Sequence, residues 1–212
     1  MLFARDIMTR KPKATFVSEV KCSQALFDDI GARGGNAIMW KVGHSLIKAK
    51  MKELNADLAG EMSGHMFFAE RWFGFDDAVY AGMRLVEMLT RSKQTLAELY
   101  DTLPVLYNTP EIRMTCPDDV KFEVVKRAQA WFRERYEIVD IDGVRVLFKE
   151  DGKQGRNLGW GLVRASNTGP VLVLRFEADS NDRLAQIQSL VEGRLKQIMS
   201  DVGAPPPKAA AH

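Results

Sequence analysis

Cysteine is scarce in this chain of 212 residues: Cys22 and Cys116 are the only two, far apart and in no C-x-x-C pattern. That argues against a disulfide framework or a cysteine-built zinc site, and it points to a reducing, cytoplasmic setting. No apolar run approaches the length of a membrane span. The opening MLFARDIMTRKPK lacks the apolar core and cleavage pattern of a secretory signal, so no membrane association is expected. There is no Lys/Arg run either. The net charge is +2 and the basic residues are spread along the chain, which argues against a nucleic-acid partner. What remains is an ordinary globular composition, 46% hydrophobic and 27% charged, in a length sufficient for one large core or two small ones.

The first hundred residues alternate between strand-like and helix-like patterns. MLFARDIMTR reads as a short amphipathic helix, ATFVSEV (14–20) as a strand, and CSQALFDDI (22–30) as a helix stopped by Gly31. NAIMW (36–40) reads as a second strand and HSLIKAKMKEL (44–54) as a helix with Leu46, Ile47, Met51 and Leu54 on one face. ADLAGE is a third strand and HMFFAERWF an extended segment. The strongest helix pattern is 76–90, with Asp76 and Asp77 at its start and Val79, Met83, Val86 and Leu89 at helical spacing. Such alternation predicts an α/β domain over 1–103. Three prolines, Pro104, Pro110 and Pro117, and little periodicity between them then predict a linker at 104–116. A helix over 118–135, a hairpin over 136–149 turning at Asp142-Gly143, two further strands and a helix over 181–200 predict an α+β domain over 117–202. The proline-rich end, 203–212, is expected to be disordered, with its last residues a non-native appendage.

Three loops carry chemistry. GEMSGH (60–65) puts two glycines, which permit a tight turn, around Glu61, Ser63 and His65, three kinds of hydrogen-bonding group suited to a polyhydroxylated ligand. RASNTGP (164–170) offers the planar fork of Arg164, side-chain donors on Ser166, Asn167 and Thr168, and Gly169 for backbone N–H groups, a pattern suited to phosphate. In WKVGHSLIK (40–48), Gly43 and His44 stand at a strand-to-helix junction, where helix N–H groups favour an anion. Lys21 ends the first predicted strand, the edge where α/β domains hold ligands. DIDGVR (140–145) resembles an Asp-rich metal loop. It has only Asp140 and Asp142 within an alternating hairpin, so it reads as a turn, and no metal ligand is expected in the chain.

Taken together, EVKC, KVGHSLIK, GEMSGH, ERWFGFDDAVYAGMRLVEML and RASNTGP resemble the C-terminal half of bacterial phosphomannomutase/phosphoglucomutase, of the α-D-phosphohexomutase superfamily. The resemblance spans nearly the whole chain apart from the tail. It implies a sugar-binding α/β domain with a mixed sheet and flanking helices, then a phosphate-binding α+β domain with an antiparallel sheet and two helices, like the TATA-binding protein. It also implies roles. Lys21, His44 and His65 would lie near the transferring phosphoryl group, Gly43, Glu61 and Ser63 would contact substrate, and Arg164, Ser166, Asn167 and Thr168 would hold the non-reacting phosphate. Met62 and the spelling of Ser166 to Pro170 favour this branch over the phosphoglucosamine mutases, and Val42 departs from it where a Thr is usual. The family's serine loop and its Asp-rich magnesium loop are absent from the sequence, so the chain is expected to be an inactive fragment beginning at the boundary of domains two and three. Mg²⁺, glucose 1,6-bisphosphate as activator, and hexose phosphates would then belong to a parent mutase with further N-terminal domains. The alternatives are a non-catalytic sugar-phosphate-binding module and a fragment of a phosphoglucosamine mutase.

Overall fold

The computed structural model describes residues 1–206. It divides after Pro104 into two compact units. In the first, helix α1 (Leu2–Arg10) leads to β1 (Thr15–Glu19), α2 (Gln24–Ala32), β2 (Asn36–Trp40), α3 (His44–Leu54), β3 (Leu58–Gly60), β4 (Met66–Phe68), α4 (Ala78–Arg91) and α5 (Leu96–Tyr100). The sheet order is β2-β1-β3-β4; β1 runs parallel to β2 and β3, and β4 is antiparallel to β3. Side chains of a strand alternate between its two faces. Phe16, Leu58 and Phe68 accordingly join Ile7, Ile30 and Tyr80 from α1, α2 and α4 on one side. Their neighbours Val17, Ala59 and Phe67 join Ile47 and Met51 of α3 on the other. The result is the expected mixed sheet between helical layers.

The second unit holds β5 (Tyr107–Asn108), β6 (Ile112–Thr115), α6 (Lys121–Arg135), β7 (Glu137–Val139), β8 (Val144–Asp151), β9 (Gln154–Ala165), β10 (Val171–Ala178) and α7 (Asn181–Asp201). Its sheet is antiparallel throughout, in the order β5-β10-β9-β8-β7, with β6 also paired to β10. Val124, Ala128 and Phe132 of α6 and Ile187, Val191, Leu195 and Ile198 of α7 pack on Val144, Val146, Val163, Leu172, Leu174 and Phe176 of the sheet. Both helices therefore cover one face, the expected α+β arrangement.

Five details depart from the sequence reading. Leu46 does not share the inward face of α3 and is 42% exposed. The stretch 104–116 is not a plain linker, because β5 and β6 form within it. Gly31 does not stop α2, which runs on to Ala32. On α4 the apolar stripe Val79, Met83 and Val86 is exposed, at 75%, 56% and 60%, while Tyr80, Arg84 and Met88 are buried. At the end of the chain, the Gly203 and Ala204 N–H groups donate to the carbonyls of Ser200 and Met199, and Ala204 packs on the core. The tail expected to be loose from 203 is thus held at its start, and residues 207–212 lie outside the described residues. No helix among the described residues is long and apolar enough to cross a membrane.

Candidate functional site

The three parallel strands of the first unit end at one edge, and each delivers a segment singled out in the sequence. Lys21 follows β1, Gly43 and His44 follow β2, and GEMSGH begins at Gly60, the last residue of β3, and runs on from it. The last of these is the hairpin loop between β3 and β4, closed by Glu61 N–H to the His65 carbonyl (3.0 Å) and Gly64 N–H to the Glu61 carbonyl (3.0 Å). Gly64 takes a positive φ of 94°, which the loop needs and glycine supplies. Ser63 is exposed at its tip.

Glu61 is buried and turned toward α3. One carboxylate oxygen accepts from Gly43 N–H at 3.1 Å, and the other lies 3.4 Å from His44 Nε2. The anion expected at this helix start is therefore a side chain of the protein itself. The His44 and His65 rings meet edge to face with centroids 4.2 Å apart. His65 Nδ1 is 2.7 Å from Asp76 Oδ2, while Asp76 Oδ1 accepts from Met66 N–H. Asp76 does not cap α4; Asp77 does, accepting from Tyr80 N–H.

Glu19, at the end of β1 and fully buried, ties this edge together. Its carboxylate accepts from the backbone N–H groups of Lys21 and, at 3.0 Å, of Met62. Burial pushes its carboxyl above the ordinary carboxylate range, against the two N–H groups that pull it down. Lys21 is itself buried. The structure thus gathers Lys21, Gly43, His44, Glu61, Ser63 and His65 at one strand edge. The organising carboxylates Glu19 and Asp76 escaped the sequence reading.

In the second unit Arg164 belongs to the end of β9, and RASNTGP is its connection to β10. Arg164 is buried, with Nε 3.2 Å from Asp142 Oδ2. The Asp142-Gly143 turn lies directly on it. A Cβ at Gly143, whose φ is +80°, would stand 2.3 Å from the Val163 carbonyl oxygen and 2.7 Å from Arg164 Cα. The turn that resembled a metal loop therefore positions the arginine. Ser166 Oγ accepts from Thr168 N–H at 3.2 Å, and Asn167 and Thr168 are exposed. Beneath the loop, buried Lys121 donates to the carbonyls of Ser166 (2.7 Å) and Gly169 (3.1 Å) and pairs with Asp118. This anchor also went unread, since a lysine at a helix start gives no sign of burial.

The residues present do not fit Mg²⁺. That ion takes several oxygen ligands in near-octahedral geometry. Asp140 is paired with Arg133 and Asp142 with Arg164. Among the described residues, the one group of three or more metal-ligating side chains is His44, Glu61 and His65, two of whose donors are nitrogens.

Family models match both units. Residues 1–107 match the phosphoglucomutase/phosphomannomutase alpha/beta/alpha domain III, and 111–193 match the C-terminal domain of the same enzymes. The chain belongs to the phosphoglucomutase/phosphomannomutase family. Within that family, it is 46% identical over 208 residues to the phosphomannomutase/phosphoglucomutase of Pseudomonas aeruginosa, covering 97% of this chain and 43% of that protein. The crystal structure of a phosphoglucomutase/phosphomannomutase family protein from Burkholderia thailandensis superposes with a TM-score of 0.82 at 42% identity, over 98% of this chain and 42% of the other. The fold alone is shared with the N-acetylphosphoglucosamine mutase of Aspergillus fumigatus, solved with GlcNAc-6P and magnesium. There the TM-score is 0.63 at 14% identity, over 93% of this chain and 42% of the other. The chain spans under half the length of these relatives and corresponds to their C-terminal part.

Proposed function

We propose that this chain supplies the sugar- and phosphate-holding part of a phosphohexomutase that interconverts the 1-phosphate and 6-phosphate of mannose or glucose. The observation that carries the reading is the gathering of the GEMSGH loop, His44 and Lys21 at one strand edge, on a chain 46% identical to a curated phosphomannomutase/phosphoglucomutase. In this reading Glu61 and Ser63 meet the substrate, with Gly43, whose N–H holds the Glu61 carboxylate, beside them, and Lys21, His44 and His65 flank the transferring phosphoryl group. Arg164, Ser166, Asn167 and Thr168 hold the phosphate that is not in transfer.

The transfer begins from a phosphoserine on the part of the mutase outside this chain. Its P–O bond to serine breaks as a P–O bond to the free sugar hydroxyl forms. The products are a 1,6-bisphosphate and a serine hydroxyl, which takes up the proton the sugar hydroxyl gives up. The bisphosphate turns over and its other phosphoryl group returns to the serine. Added glucose 1,6-bisphosphate would recharge a serine that has lost its phosphate. Magnesium is assigned to the same outlying part, because among the described residues none form a site that suits it. Phosphoryl transfer depends mainly on positioning and charge stabilisation, so binding loops without a nucleophile are a substantial share of the machinery.

The test is titration of the chain with glucose 6-phosphate and mannose 6-phosphate, followed by amide NMR. Shifts are expected at 43–44, 61–65 and 164–169. Arg164→Ala removes a hydrogen bond to a charged partner, about 1.5–3 kcal/mol. In a full-length host it should weaken sugar-phosphate binding roughly ten- to a hundredfold, with circular dichroism unchanged. Saturating ligand that leaves both loops unshifted would overturn the reading.

A further inference from the structure

We propose that His44, Glu61 and His65 form a site for a borderline divalent transition-metal ion of the Zn²⁺ type. One ligand atom from each lies within 4.8 Å of the others. Zinc binds His nitrogen and carboxylate oxygen at about 2.0–2.2 Å, so two ligands on one tetrahedral ion stand about 3.3 Å apart. His44 Nε2 and Glu61 Oε2 stand 3.4 Å apart.

Each ligand is also oriented by a partner behind it. The Gly43 N–H fixes the Glu61 carboxylate from its other oxygen. Asp76 holds His65 by Nδ1 at 2.7 Å, which leaves Nε2 for an ion. The same Asp76 oxygen lies 3.9 Å from His44 Nδ1, on the side of that ring away from Glu61. A carboxylate behind a ligating imidazole fixes its tautomer and its ring orientation. Asp76 is itself held by the Met66 N–H. Three protein ligands leave a coordination position open to solvent, since both histidine side chains are 43% exposed. Two nitrogens and one oxygen select zinc, cobalt, nickel or copper over the hard, oxygen-seeking Mg²⁺ and Ca²⁺.

Metal binding stands independently of the proposed function. Resting on that reading, it adds a consequence. The ion would occupy the carboxylate assigned to the sugar and both flanking imidazoles, so metal and hexose phosphate would exclude one another.

The test uses the full chain with excess Mg²⁺ present. Zn²⁺ is titrated by calorimetry, and Co²⁺ is followed by its visible d–d absorption. One ion per chain is expected, with the His44 and His65 ring-nitrogen NMR signals shifting on Zn²⁺ addition. His44→Ala and His65→Ala should each weaken binding by more than about tenfold, and Asp76→Asn by about tenfold. The ring-nitrogen signals of the unaltered chain decide the matter should a variant fail to fold. Absence of binding, ring signals that do not respond, or equal affinity in the folded double histidine variant would each overturn the inference. Glucose 6-phosphate separates the two readings. If zinc binds the rings but the sugar phosphate shifts no loop, the function fails and the metal site stands. The reverse outcome removes the metal site alone.

Discussion

Arg5 grips Asp29 with two hydrogen bonds, Nε to Oδ2 at 2.9 Å and Nη2 to Oδ1 at 2.6 Å, and so latches α1 to α2. The Arg5 hydrogen bond, with help from Arg33, holds the Asp29 carboxyl below its ordinary range. A depressed folded-state value contributes stability that is present above the unfolded value, near about 4, and is lost as pH falls through the lower folded value. Asp29→Asn should therefore cost the first unit about 1.5–3 kcal/mol at neutral pH and flatten its loss of stability in acid. Urea unfolding over a pH series, followed by methyl NMR signals of that unit, would check both. An unchanged acid profile would mean the latch is not what titrates. Single residues were legible where their chemistry is unusual for their place: Glu61 and Arg164 stand out in glycine-bearing loops. Glu19 and Asp76 did not, because one reads as the polar side of a strand and the other as a helix-start acid. What makes them matter is a partner brought near by folding, the Met62 N–H in one case and the His65 ring in the other.

Helix α4 marks what periodicity can and cannot say about an element. The 3.6-residue repeat of Val79, Met83 and Val86 correctly indicated a helix, yet its inward face is the one carrying Arg84. That cation is 3% exposed. It sits 2.7 Å from Glu70, donates to the Tyr80 hydroxyl and stacks over the Phe68 ring at 4.7 Å. A repeat identifies a face but not the side on which the core lies, and a buried ion pair inverts the usual assignment. Met83→Ser with Val86→Ser should leave the unit's stability within about 0.5 kcal/mol per site. Met88→Ala, on the buried side, should cost about 2–5 kcal/mol. Equal losses in urea melts would contradict the assignment of faces. Other elements were hidden for different reasons. Strands β5 and β6 pair with β10, whose partner residues lie 56 to 71 positions later in sequence, and no local window registers such a partner. Short α5 could have been read, since Thr95 and Glu98 make a capping box, a signature visible in sequence.

For the whole molecule, the placement of β5 and β6 moves the weak point of the chain. Residues 107–115 carry those strands, whereas 101–106 carry none, and Val105 is 80% exposed. Limited proteolysis should cut first between Asp101 and Leu106. An initial cut within 107–115 would show that β5 and β6 open more readily than the connection before them. The edge-to-face contact of His44 with His65 adds a spectroscopic consequence. These rings are 21 residues apart in sequence and meet only when β2 and β3 are both docked on β1. Each lies in the other's ring current, so their imidazole proton shifts should move off random-coil values on folding and return on unfolding. The other histidine, His212, ends the chain. Two resonances in a sparse region of the proton spectrum can therefore time the assembly of the first unit, without any added label.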